Sequence, residues 1–429
     1  MTLKQKFKSA IKRGTGEAYI LMIENPDVDF SNEIIIASLK NLSYDNQCEN
    51  RAEYVFGLIE LSKQKERIRQ AILQALATEE NDGWALSQVF DLAGMFAKQG
   101  DKEAREAIYK RFYNNPIETC QDFGEEIIIE LDGMEGLKYI AEIKGKALQE
   151  EDTEFYWENH WLVTSFQEEN PQINVYEELE NSAKTNQYIR TYFDAVLRDR
   201  EKSLKRSKRE KFSYQVISER IKNNERVVIF GRRKKELSQK DIIKLADDFM
   251  KQTQKKKIET YLSIFEDIKY PYDYQLLLEY AKSENKKNRI AEYACGALKF
   301  FSGADIRQFA LEKLNKIRVP YNYVDLLVKN YKKGDAKLLT DIIARCKNED
   351  EIHSIVFGII DIYEANKTRE CKEPLEAIYD RLNCGIDRAI IVRILIRNKV
   401  ISDKIKREIQ FDSDESTREL YKKLSRRSA

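Results

Sequence analysis

Ile290-Ala291-Glu292-Tyr293-Ala294-Cys295-Gly296-Ala297-Leu298-Lys299-Phe300-Phe301 runs into Ser302-Gly303-Ala304-Asp305 and then into Ile306-Arg307-Gln308-Phe309-Ala310-Leu311-Glu312-Lys313-Leu314. Apolar residues at 290, 294, 297, 298 and 301 fall on one face of a helix, and those at 306, 309, 310 and 314 on one face of a second. The residues between read as a turn, with an aspartate placed to cap the second helix. Neither half can bury its apolar face alone, so this helical hairpin needs neighbours.

The whole chain fits that unit. With 429 residues there is room for two or three ordinary domains or for one long array. Only 6 prolines and 16 glycines are present, too few for the many turns of a β-rich protein. Charged residues reach 34% yet cancel to a net +1, which suits amphipathic helices with solvated outer faces. A hydrophobic content of 42% supplies a core and excludes global disorder. The six cysteines (48, 120, 295, 346, 371 and 384) form no C-x-x-C pair, and no secretory leader or membrane-length apolar run is visible. Reduced thiols in a cytoplasm are the expectation. Two histidines, His160 and His353, leave little room for metal or histidine-dependent chemistry.

The opening hairpin has an echo. Ala52-Glu53-Tyr54-Val55-Phe56-Gly57 repeats the A-E-Y-x-x-G letters of 291–296, and each copy precedes Ile-Arg-Gln in the next helix, at 68–70 and 306–308. A glycine inside a helix costs about 1 kcal/mol against alanine, so its use at the same place twice predicts close helix–helix approach there. Trp84–Lys98, a Gly100-Asp101 turn and Lys102–Phe112 form another hairpin. Lys98-Gln99-Gly100-Asp101 has a relative in Lys333-Gly334-Asp335. At the C-terminal end, helices are expected over Asp387–Asn398, over Ser402–Ile409 and from Asp414 onward. D-x-x-x-R starts second helices at Asp101…Arg105 and Asp414…Arg418. Hairpins recurring in this way over residues 30–115 and 270–425 resemble HEAT and armadillo-type repeats. TPR repeats are a near competitor, but their tryptophan-to-proline pattern is absent.

The middle departs from the repeats. Acidic residues far outnumber basic ones across 118–181, and the reverse holds across 198–257. The expectation is an all-α fold: an α-solenoid of stacked antiparallel helix hairpins, HEAT-like, interrupted near the middle. An N-terminal helical-repeat region spans 1–200 and contains the acidic segment 118–181. A basic helix/loop connector covers 201–257, and a C-terminal helical-repeat region covers 258–429.

Candidate functional residues follow from charge and aromaticity. Lys205, Arg206, Lys208, Arg209, Arg232, Arg233, Lys234 and Lys235 could release counterions from a phosphate backbone, with Tyr214 and Phe230 nearby for stacking. The competing explanation is a solvated face, or one that meets the acidic 118–181 block in the same or a neighbouring molecule. Trp157 and Trp161 share a helix face and could dock a partner, against the alternative of packing between layers. Asp132 with Glu142-Ile143-Lys144 matches the letters of a metal-dependent nuclease, but 136–149 reads as a helix with Leu137, Ile140, Ala141 and Leu148 inward. Gly14-Thr15-Gly16 lacks phosphate-loop spacing, and Cys371 and Cys384 lack the setting of an activated thiol.

These observations predict a non-enzymatic scaffold that binds a protein partner or nucleic acid on a curved helical-repeat surface, with no membrane, metal or cofactor. The alternative is a DNA- or RNA-binding HEAT-like protein using 198–257. The resemblance extends there to HEAT-like alkylpurine DNA glycosylases, which grip DNA with a basic concave surface and aromatic side chains. No catalytic residue is assigned. Self-association through 118–181 and 198–257 is a further expectation.

Overall fold

With so few helix breakers, long amphipathic stretches run uninterrupted. The computed structural model describes residues 1–78, 82–115, 124–150, 159–206, 211–229, 231–283 and 289–428. Among them are 24 α-helices, four short 3-10 turns and no strand, so the fold is all-α. The chain divides into two compact units. The first comprises Met1–Arg209, Asn383–Gly385 and Arg407–Ala429, and the second Glu210–Leu382 and Ile386–Lys406.

In the first unit the helices are α1 (Leu3–Arg13), α2 (Glu17–Glu24), α3 (Ser31–Leu39), α4 (Ala52–Leu61), α5 (Lys65–Thr78), α6 (Gly83–Lys98), α7 (Lys102–Asn114), α8 (Glu125–Glu150), α9 (Asn159–Glu169), α10 (Val175–Ala183) and α11 (Gln187–Arg206). The second holds α12 (Tyr214–Lys222), α13 (Gln239–Met250), α14 (Lys255–Phe265), α15 (Gln275–Ala281), α16 (Ile290–Leu298), α17 (Ala304–Lys316), α18 (Tyr321–Val324), α19 (Asp335–Arg345), α20 (Glu349–Ala365), α21 (Lys372–Tyr379) and most of α22 (Gly385–Arg397) and α23 (Asp403–Glu408). The last helix, α24 (Glu415–Ser428), returns to the first unit.

Local sequence explains the ends. Thr2 and Gln5 form a capping box at the start of α1, Phe7, Ala10 and Ile11 are buried, and Gly14 closes the helix at φ 69°. Packing is sequence-local. In the first unit α5 packs on α3, α6 and α7, and α6 on α4, α7 and α8. In the second, α14 packs on α16, α17 on α19, α18 on α20 and α19 on α21. Most of these contacts join a helix to the next or next-but-one, while α8 also packs on α11 and α3 on α6. Both copies of the repeated glycine sit at close approaches: a Cβ on Gly57 would overlap the Tyr19 hydroxyl, and one on Gly296 would meet the Glu266 side chain.

Helix α8 is a hairpin in itself. Its backbone leaves helical geometry at Gly133 (φ 57°, ψ −127°), and Lys144 forms a fully buried ion pair with Glu125. In a straight helix those residues would lie roughly 28 Å apart, so the two halves fold back on each other.

One aspartate recurs at the turn inside successive hairpins. Arg69 of α5 binds Asp101 (2.8 Å from Nη2 to Oδ1), and Arg105 of α7 donates to both oxygens of Asp132 at 2.6 Å. Arg307 of α17 binds Asp335 at 2.7 and 2.8 Å. At Asp305 the same place is served by the Tyr274 hydroxyl (2.9 Å) and by Gln275 (3.1 Å). Asp101 also caps α7 through the Ala104 N–H. The cap expected of Asp305 is not made, because α17 is capped at Gly303 without a side-chain bond, and Asp305, one residue inside the helix, accepts from the Ile306 N–H (2.9 Å) and from the preceding hairpin. A second recurrence serves helix C-termini, whose last carbonyls have no partner within the helix. Arg345 donates to the Leu314 and Ile317 carbonyls (2.9 and 3.1 Å), and Arg381 to those of Ile343 and Cys346 (2.8 and 2.5 Å).

The C-terminal segment joins the N-terminal hairpins within the first unit. Phe411 stacks on Tyr19 with ring centroids 5.0 Å apart, the Ser413 N–H donates to the Gly14 carbonyl (2.8 Å), and Arg407 pairs with Glu24 (2.6 Å). Arg51, almost wholly buried, donates to the Lys12 and Leu42 carbonyls and to that of Asn383 at 2.7 Å. Gly14-Thr15-Gly16 is thus a structural turn, its missing Cβ atoms making room for Ser413 and for the Glu408 backbone.

Candidate functional site

Lys205 is exposed and pairs with Glu201 of its own helix at 2.7 Å. Arg206 ends α11, with its side chain outside the described residues, as are Lys208 and Arg209. Residues Gly231–Glu236 form a 3-10 turn in the second unit. There Arg233 lies over the Phe212 ring at 4.4 Å, joined by Arg220 at 5.4 Å, and Lys234 is ion-paired with Asp267. Lys235 is exposed, and the Arg232 side chain lies outside the described residues. Two cations of the Arg232–Lys235 run therefore serve the fold. The signal for this lay in Phe212 and Asp267, which only folding brings alongside.

Trp157 falls outside the described residues. Trp161 is 62% exposed on α9, so packing between layers does not account for it. The Nδ1–H of its neighbour His160 donates to the Asp199 carboxylate at 2.7 Å. The nuclease letters are dispersed: Asp132 belongs to the Arg105 and Tyr109 hydroxyl contacts, Lys144 is buried against Glu125, and Glu142 faces solvent. Burial opposes the charge of Asp132, but the Arg105 and Tyr109 hydrogen bonds outweigh it and hold the carboxyl below its usual range. Burial pushes the thiols of Cys295 and Cys371 up, the latter to about 11, and a hydrogen bond with Asp45 raises that of Cys48. None of the three is an activated nucleophile.

The sequence did not reveal a cleft of about 450 Å³ in the first unit. Glu49 and Glu53 enter it from the start of α4, Asp91 from α6, Glu126 and Glu130 from α8, and Asp414 and Glu415 from the start of α24. Arg51, Lys98 and Arg418 are the cations on its wall. Arg418 pairs with Glu53 (3.0 Å), Lys98 with Glu130 (2.6 Å) and Arg51 with Glu49 (3.3 Å), leaving an excess of carboxylates. Burial pushes Asp91 up to about 6, opposed by a 2.8 Å hydrogen bond from Asn50 and reinforced by Glu126 and Glu130. The spacing of Glu126 and Glu130 on one helix face was readable, but the return of α24 to the N-terminal hairpins was not.

Among the described residues no helix is long and apolar enough to cross a membrane. No family model matches this chain, and no curated protein or solved structure matches it either.

Proposed function

We propose that this protein is a helical-repeat scaffold, a HEAT-like α-solenoid of stacked antiparallel hairpins, that binds a macromolecular partner. The observation that carries this reading is the recurring aspartate rung at Asp101, Asp132, Asp305 and Asp335, each held by the hairpin before it. A device repeated between successive units belongs to arrays in which each unit contacts its neighbours, and such arrays offer long binding surfaces.

The partner favoured by charge is a protein carrying Lys and Arg side chains. The cleft of the first unit has more carboxylates than cations, which attracts a cationic surface and repels phosphates. Arg233 and Lys234, proposed from the sequence for a polyanion, are already engaged by Phe212 and Asp267. The test is fluorescence anisotropy with a labelled arginine-rich peptide, duplex DNA and single-stranded RNA, between about 50 and 200 mM salt. The expected result is peptide binding that weakens with salt and no nucleic-acid binding. Tight nucleic-acid binding lost steeply over that range would replace this reading with the DNA- or RNA-binding one.

A further inference from the structure

The described chain is helical wherever it is regular, yet after α12 it becomes extended. The Glu225 N–H still donates to the Arg220 carbonyl at 2.9 Å and closes the helix. From Arg226 to Ile229 the backbone follows no helix or turn, and among the described residues no hydrogen bond engages the peptide groups of these four residues. Their side chains alternate: Val227 and Ile229 are buried, whereas Arg226 is exposed and Val228 half-buried. That is the period of a strand with one face on a core. Buried peptide groups nearly always find a partner in the protein or in water, and an extended edge whose peptide groups bond to no other part of the chain is a template for another chain.

A groove of about 410 Å³ runs beside this segment in the second unit. Its far wall is one face of α14, presenting Lys256, Glu259, Thr260 and Ser263 at i, i+3, i+4 and i+7. Both signs of charge line it, Arg226, Lys256 and Arg289 against Glu225, Glu259, Glu266 and Asp267, so the near balance of charge selects the occupant only weakly. What the groove offers in quantity is main-chain donors and acceptors. We propose that Arg226–Ile229 is a docking edge to which an extended polypeptide segment of a partner protein adds as a β-strand. Main-chain hydrogen bonds to the edge give affinity, and alternate side chains of the segment meet the polar face of α14.

This rests on the scaffold reading only in taking a polypeptide as the partner. The probes are peptides selected on the full chain from a random heptapeptide library, then synthesised with a single N-methyl group at each position in turn. Blocking an amide that pairs with the edge is expected to weaken binding about three- to tenfold, and blocking its neighbours to do nothing, so that losses fall at every second position. N-methylation keeps the protein unchanged, so misfolding cannot mimic the result. Val228→Pro should abolish binding and Val228→Ala should not. Absence of any selected peptide, or losses without alternation, overturns the inference. So does a dimer that Val228→Pro dissociates while no peptide binds, because the edge then serves a second copy. Peptides that leave at 200 mM salt and ignore Val228→Pro also overturn it, but they leave the acidic cleft and the scaffold reading standing.

Discussion

Residues 52–70 and 291–308 share the A-E-Y-x-x-G and Ile-Arg-Gln letters in the two units, at spacings that differ by one residue, and the folded molecule uses them alike in one respect and differently in another. Both glycines sit where a neighbour leaves no space for a Cβ. At Gly57 the neighbour is the Tyr19 ring end, fixed by its own 2.6 Å bond to the Tyr54 carbonyl, whereas at Gly296 it is the flexible side chain of Glu266. Both Ile-Arg-Gln arginines reach the aspartate of the next hairpin. Arg69 is surrounded by Asp101, Glu103 and Glu66, while Arg307 has Asp335 and the Asn330 carbonyl. The repeat therefore fixes where helices touch and where a rung forms, and leaves the chemistry of the neighbour free.

That comparison ranks the consequences of substitution. The largest effect is expected inside the α8 hairpin, at a buried ion pair that is not one of the rungs. Lys144→Met takes the buried cation away from Glu125 and should cost about 3–5 kcal/mol in urea unfolding, because breaking a buried ion pair removes the charge that offsets the carboxylate's burial. Adding Glu125→Leu should recover most of it. The glycines come next. Gly57→Ala should cost about 1–3 kcal/mol through overpacking against Tyr19. Gly296→Ala should stay within about 1 kcal/mol, since Glu266 can swing away and alanine improves helix propensity. Equal costs at the two positions would erase the distinction drawn between them.

Smaller effects distinguish the units by pH. Asp91 in the first is raised to about 6 by burial, so the fold binds a proton that the unfolded chain has already lost. Its contribution is present below the unfolded pKa near 4 and is lost as pH rises through about 6. Glu351 in the second is lowered to about 2 by hydrogen bonds from Arg318 and from the Lys347 N–H. Its contribution is present above the unfolded value and disappears as pH falls through about 2. Melting temperature against pH should lose slope between pH 4 and 6 in Asp91→Asn, and between pH 2 and 4 in Glu351→Gln. Slopes that are unchanged, or that move in the opposite sense, would contradict these environments.

Much of the helical layout was legible because period and glycine placement act locally. Trp84–Lys98 and Lys102–Phe112 emerge as α6 and α7 with shifts of one or two residues at their ends, and 290–314 emerges as α16 and α17. What failed was anything set by which hairpin lies beside which. Ile-Arg-Gln was visible twice, yet its partners stand in the following hairpin and depend on register across the turn. Arg233 and Lys234 resembled a polyanion site because charge in a sequence carries no record of the ring or carboxylate it will meet. Trp161 shared its pattern with core residues, and only its position on α9 exposes it. The acidic cleft needs α4, α6, α8 and the returning α24 together, and the extended edge at 226–229 shows itself only once its peptide groups are traced.

The rung is the foundation of the scaffold reading, and double-mutant cycles measure it directly. Arg69→Met with Asp101→Asn, and Arg307→Met with Asp335→Asn, should each give a coupling energy of about 1–2 kcal/mol in urea unfolding, as partly buried charge-assisted pairs do. Comparable coupling at both sites is the predicted result. Coupling near zero at either site would mean that the two hairpins are not joined by a common device, and the repeat account would fall.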